Sequence, residues 1–305
     1  MKLIKKFFRN KKSWLLLGIF FGLIIILAFP SYAWTQANVK QMATRHNSKM
    51  SPVIMIPGSS ATQDRFDELV QKINQADGRK HSLLKLKVMN SGQINVTGEI
   101  RPGDNEPFIV VGFENNQDGY DNIKKESKMF NSAFTQLTKK YNFNNFKAFG
   151  HSNGGLVFTD FLENYFDNDE ITMKCLMTVG TPYNFEESST SRKTQMLADF
   201  IKNRKKIPDD LVVYSLSGTQ NYDSDGIVPI NSVAAGKYIY QGQAASYTQI
   251  TVSGKMAQHS AMLDNPQIIT IMEQYLLNQK AKATTTNRNL NDDSSTTDFN
   301  NNTGN

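Results

Sequence analysis

Cysteine occurs once in the 305 residues, at Cys175. No internal disulfide can form, so stability must come from a packed core. Cys175 lies in the apolar run Cys175-Leu176-Met177-Thr178-Val179, the setting of a buried core thiol and not of a reactive one. Histidine is scarce too, with four in the chain. His46 and His81 stand without a ligand-spaced cluster of Cys, Asp or Glu, so no metal site is expected. The phosphate-cradling P-loop is missing, because the glycines around residue 152 lack the required lysine. A dinucleotide fingerprint and internal repeats are missing as well, and no cofactor is expected.

An excess of charge is also lacking once the first segment is set aside. The chain has 34 basic and 28 acidic residues, but six of the basics (Lys2, Lys5, Lys6, Arg9, Lys11 and Lys12) precede an apolar stretch from Trp14 to Phe29. The remainder is balanced, so the high pI belongs to the leader and nucleic acid is not an expected partner. Residues 1–33 have the form of a signal peptide, with Ser31 and Ala33 as the small residues before a cut after Ala33, or of an N-terminal membrane anchor. If uncleaved, this segment is the chain's contact with a membrane. Either fate places the rest outside the membrane, secreted or at the cell surface.

Residues 34–50 are polar and read as a linker or short lead-in. From 51 to 280, strand-like and helix-like segments alternate, which predicts one α/β domain with helices on both faces of a mostly parallel sheet. Pro52–Ile56 reads as a short apolar strand ending at Pro57-Gly58-Ser59-Ser60. Leu84, Leu86 and Val88, then Ile94, Val96 and Ile100, alternate with polar residues around Asn90-Ser91-Gly92, predicting an antiparallel edge hairpin. Ile123, Ser127, Phe130, Phe134, Leu137 and Tyr141 mark one face of a long helix. A polar helix is expected over about 189–205, where folds of this kind often place a covering element. Asn265-Pro266 supplies an N-cap and a first-turn proline for a final helix. Residues 281–305 are rich in Asn, Thr, Ser and Asp with little to bury, and are expected to be disordered.

The chemistry centres on Gly150-His151-Ser152-Asn153-Gly154, a G-x-S-x-G run between a strand-like stretch (146–149) and an amphipathic helical one. A serine on so tight a turn needs small neighbours, and the strain holds its hydroxyl clear of the backbone. A hydroxyl needs a base, and the base an acid to hold it. On α/β sheets with such an elbow the acid follows the serine and the histidine comes last. Only His259 lies downstream of Ser152. Asp225, on a turn after the strand beginning at Leu211, is the best-placed acid. Asp223 would point differently, Asp209 and Asp210 sit at the strand's other end, and Asp264 belongs with the final helix cap. The oxyanion donors are expected to be the backbone N–H of Asn153 and that of Ser59, with Ser60 the alternative. His151 is expected to diverge from Ser152 and to pack or face substrate.

These runs carry a resemblance. Ile54-Met55-Ile56-Pro57-Gly58, Gly150–Gly155, Val179-Gly180-Thr181-Pro182, Ser224–Pro229 and His259 resemble a family of exported proteins with the α/β-hydrolase fold. Its members are of undefined function and are provisionally termed cell-surface hydrolases in Gram-positive bacteria. The resemblance implies a Ser152–Asp225–His259 triad and an esterase-like or lipase-like activity. Many relatives have His-Gly where this chain has Pro57-Gly58, so a backbone donor survives while side-chain support is lost. The expected function is a serine hydrolase acting on a small-molecule or acyl-ester substrate. The same triad would serve an acyltransferase, and a non-catalytic surface interaction protein on the same fold is the contrasting class.

Overall fold

The structure is a computed structural model that describes residues 11–277. Lys2, Lys5, Lys6, Arg9 and the polar tail expected at 281–305 lie outside the described residues. Helix α1 (Lys11–His46) is followed by β1 (Val53–Ile56), α2 (Asp67–Asp77), the hairpin β2 (Leu83–Val88) and β3 (Ile94–Gly98), and β4 (Phe108–Phe113). Then come α3 (Tyr120–Tyr141), β5 (Asn145–His151), α4 (Asn153–Asn164), β6 (Thr172–Val179), α5 (Gln195–Asn203) and β7 (Val212–Thr219). Short helices α6 (Ile230–Ala234) and α7 (Lys237–Tyr240), β8 (Ser246–Ser253) and α8 (Pro266–Ile271) complete the order.

The eight strands form one sheet in the order β3-β2-β4-β1-β5-β6-β7-β8. Every neighbouring pair is parallel except β2 with β3, the expected edge hairpin. Strand alternation divides the core in two. In β1, Ile54 and Ile56 face the layer built by α3, α4 and α5, while Val53 and Met55 face Phe66, Leu69 and Ile73 around α2 and the residues of α8. The first layer is rich in phenylalanine. Phe130 meets Phe161 edge-on at 4.8 Å, and Phe134 meets Phe146 at 4.9 Å. Such contacts add to area burial in fixing how α3 and α4 seat on the sheet.

Three expectations change. The lead-in 34–50 is helical as far as His46, continuing α1 without a break. Its Ala, Gln, Lys and Met residues are good helix formers, and a helix already begun extends more easily than one must nucleate. The helix expected over 189–205 is shorter: α5 starts at Gln195, where Thr194 caps it by accepting from the Leu197 N–H at 3.4 Å. The edge strand stops at Gly98 instead of reaching Ile100, because Gly98 has φ +82°, outside strand geometry.

Candidate active site

The strand β5 runs straight into α4, with Ser152 alone at the junction. Its backbone stands at φ 53°, ψ −127°, a conformation that L-residues rarely adopt. Neighbouring groups hold it there. The Ser152 N–H donates to the Val179 carbonyl at 2.8 Å, and its carbonyl accepts from the Thr181 hydroxyl at 3.0 Å. Two glycines allow the required close approach. A Cβ on Gly154 would lie 2.0 Å from the Ile56 carbonyl oxygen, and one on Gly58 would lie 2.6 Å from the Ser152 Cβ. The elbow therefore rests against the end of β1 with no room for larger residues.

Asp225 stands in the loop after β7, where Ser224 and Pro229 bridge to fold the chain back. Its Oδ1 accepts the N–H groups of Ile227 at 3.0 Å and Val228 at 2.7 Å, and its side chain is buried. Oδ2 is left for His259, whose Nδ1 lies 2.7 Å away. The two residues are also joined through the backbone, since the His259 N–H donates to the Asp225 carbonyl at 2.8 Å. A carboxylate only accepts, so Nδ1 carries the hydrogen, and in the neutral imidazole Nε2 is then the nitrogen with the lone pair.

His259 follows β8 and has a third restraint. The His151 Nε2 donates to the His259 carbonyl at 3.0 Å, with the two rings 4.9 Å apart. Burial, reinforced by the nearby His259 ring, pushes the His151 pKa down to about 3. His151 is thus a neutral donor at any working pH. It packs against the histidine loop and diverges from Ser152.

Ser152, His259, Asn153 and Ser59 line one cavity of about 850 Å³, together with Phe185 and Ile227. Among the described residues the Ser152 hydroxyl has no hydrogen-bond partner, so the link from hydroxyl to imidazole is not closed. At the elbow, the N–H of Asn153 belongs to the unsatisfied first turn of α4. Its side chain is held by Asp118, which accepts from Nδ2 at 2.8 Å. In the loop after β1, the Ser60 N–H is already given to the Asn116 carbonyl at 3.0 Å.

The structure thus gathers Ser152, Asp225, His259, Asn153 and Ser59 at the carboxyl ends of the strands. Asp264 is elsewhere, paired with Lys72. The expected covering segment is only partly at the cavity: Pro182, Phe185 and Glu186 line it, while Tyr183 is buried in the core and donates to Thr178. Sequence reasoning missed Asp118, and also Arg65, which donates to the Ser260 carbonyl at the cavity wall. Neither lies in a motif, so only the folded loops bring them in.

Residues 40–279 match the family described as "Alpha/beta hydrolase of unknown function (DUF915)". The chain belongs to this family. Solved structures that share its fold include the following two. One, from Lactobacillus plantarum and provisionally named a cell surface hydrolase, is 48% identical, with 75% of this chain and 92% of that one covered at a TM-score of 0.69. The other, a gene product of Listeria innocua, is 27% identical, with 76% and 96% covered at a TM-score of 0.69. No functionally curated protein matches the chain.

Proposed function

We propose that this α/β hydrolase is a serine hydrolase that cleaves carboxylic esters through an acyl-enzyme. The observation that carries the reading is the Asp225–His259 pair at 2.7 Å facing the same cavity as a serine held at φ 53°. A structural loop has no need for a buried carboxylate–imidazole pair beside a strained hydroxyl.

In this reading Ser152 Oγ attacks the ester carbonyl as His259 Nε2 takes its proton. The imidazolium that forms is stabilised by Asp225, whose other oxygen is fixed by two backbone donors and so does not turn away. The oxyanion is met by the N–H groups of Asn153 and Ser59, because that of Ser60 is spent on Asn116. His259 then returns the proton to the leaving alcohol; in the second half it takes a proton from a water whose oxygen attacks the acyl carbonyl, and Ser152 Oγ leaves with that proton as the carboxylic acid departs. Helix α5 turns Met196, Leu197 and Phe200 into the core, so it offers no apolar lid. That favours small or soluble esters over a wide lipid surface. The leader supports export, with the domain outside the membrane.

The test is a panel of acyl esters of graded chain length, assayed with the native chain, Ser152→Ala and His259→Ala. Each variant is expected to lose about 10⁴- to 10⁶-fold in kcat while remaining folded. Hydrolysis that survives Ser152→Ala at the native rate would remove the serine from the mechanism.

A further inference from the structure

Helix α1 meets the domain at the end of the sheet opposite the cavity. The His46 carbonyl accepts from Asn144 Nδ2 at 2.9 Å, and Arg45 pairs with Glu170 at 3.0 Å. Asn144 immediately precedes β5 and Glu170 stands just before β6, so both contacts lie at the amino ends of the strands. The cavity lies at their carboxyl ends. Along α1 no described side chain is buried, so the helix projects from the domain and does not lie along its surface.

The helix itself divides by chemistry. Trp14 to Ala33 carries no charge, and these roughly 20 residues are about 30 Å long, the thickness of a bilayer's hydrocarbon core. Lysines flank its inner end, while Tyr32 and Trp34 stand at the outer end, where interfacial aromatics gather. Thr35 to His46 continue the same helix as a polar stalk of about 18 Å. Across the expected cleavage point the helix is unbroken. Ser31 bonds back to the Leu27 carbonyl at 2.9 Å, and Thr35 bonds back to that of Ser31 at 2.8 Å. Peptidases cut exposed, irregular chain, so a helical segment at this point favours the anchor over the cleaved leader.

The strands add about 25 Å between stalk and cavity. We infer that α1 holds the cavity about 40 Å clear of the bilayer and opening away from it, so that the esters it takes are presented in the aqueous layer outside the membrane and are not the acyl esters of the anchoring bilayer. The consequence for substrate rests on the hydrolase reading above. The placement of the cavity does not.

The experiment uses the full chain, its mass confirming that residues 1–33 are present, reconstituted in phosphatidylglycerol–phosphatidylcholine vesicles. Cys175 is buried, so a cysteine introduced on the surface labels selectively. A donor dye is placed at the cavity rim through Ile227→Cys or at the base through Asp169→Cys, and an acceptor lipid is placed in the vesicle. Energy transfer is expected to be several-fold stronger from 169 than from 227. Equal transfer, or the reverse order, overturns the placement. In parallel, unlabelled native chain in the same vesicles receives a water-soluble short-chain ester or a fluorogenic phospholipid in the bilayer. The soluble ester should turn over and the phospholipid should remain intact; cleavage of both at comparable rates overturns the substrate inference. If the labels obey the expected order and neither ester is cleaved, the placement stands and the hydrolase reading fails.

Discussion

The two ends of the sheet both bury charged groups, and they use them differently. At the amino end, Lys147 at the start of β5 is almost wholly enclosed and is bonded to Glu106, which also pairs with Arg79 at 3.2 Å. Burial draws the Lys147 pKa down while the Glu106 charge holds it up, a balance that a removed partner would upset. At the carboxyl end, Asp225 and His259 satisfy each other, but among the described residues the Ser152 hydroxyl has no partner, and the N–H of Asn153 belongs to the first turn of α4, which the helix leaves unpaired. The base closes its charged groups on one another, although the Ser51 hydroxyl and the Asn145 Oδ1 stay buried there without a partner among the described residues. The rim keeps polar groups unspent, which is what a site must do if a ligand is to complete them.

The largest expected effect separates the two ends by activity. Asp225→Asn keeps the size of the side chain but weakens its hold on the Nδ1 hydrogen, and ester turnover should fall about 10⁴-fold with the fold retained by circular dichroism. An activity close to native would mean that the rim pair is structural, like the base pair. The next effect is on stability. Lys147→Ala removes the more deeply buried of the two cations bonded to Glu106 and leaves Arg79, and should lower unfolding free energy by about 1–3 kcal/mol in urea titrations, with kcat of the folded fraction unchanged. A loss of turnover without a loss of stability would reverse the assignment of the two ends.

A smaller effect sharpens the comparison by pH. Burial raises the pKa of Glu126 from 4.5 to about 8, and that of Glu163 from 4.5 to about 9. The folded chain therefore keeps protons that the unfolded chain releases above pH 4.5, so their stabilising contribution is complete below that pH. It is lost as pH rises through about 8 and 9. His151 acts in the opposite direction: the unfolded chain takes up a proton below pH 6.5 that the folded chain refuses until about 3, so stability falls as pH drops through that window. Thermal melts should show a mildly acidic optimum, and Glu163→Gln should flatten the alkaline decline. An alkaline slope that is the same in native chain and variant would contradict the burial argument for Glu163.

Much of the rim was legible in the sequence because its parts are short and local. Gly150–Gly154 encodes a turn geometry, and the scarcity of histidine leaves one base downstream of Ser152. Asp225 follows from standing on a turn at the carboxyl end of a strand. The rest depended on contacts made across the chain. Ser59 separates from Ser60 only through the Asn116 carbonyl, which lies in a different loop. The bond from His151 to the His259 carbonyl spans 108 positions. The hairpin and the order of elements followed from periodicity, whereas the helical course of 34–46 did not, since polarity alone does not distinguish an exposed helix from a linker.

The central claim is that Ser152 is a nucleophile activated by His259, and exposure to an alkyl fluorophosphonate followed by intact-mass and peptide analysis tests it most directly. The account predicts one covalent adduct, on Ser152, formed by the folded chain and largely abolished by His259→Ala. A folded chain that takes no adduct, or takes it on another residue, would contradict it.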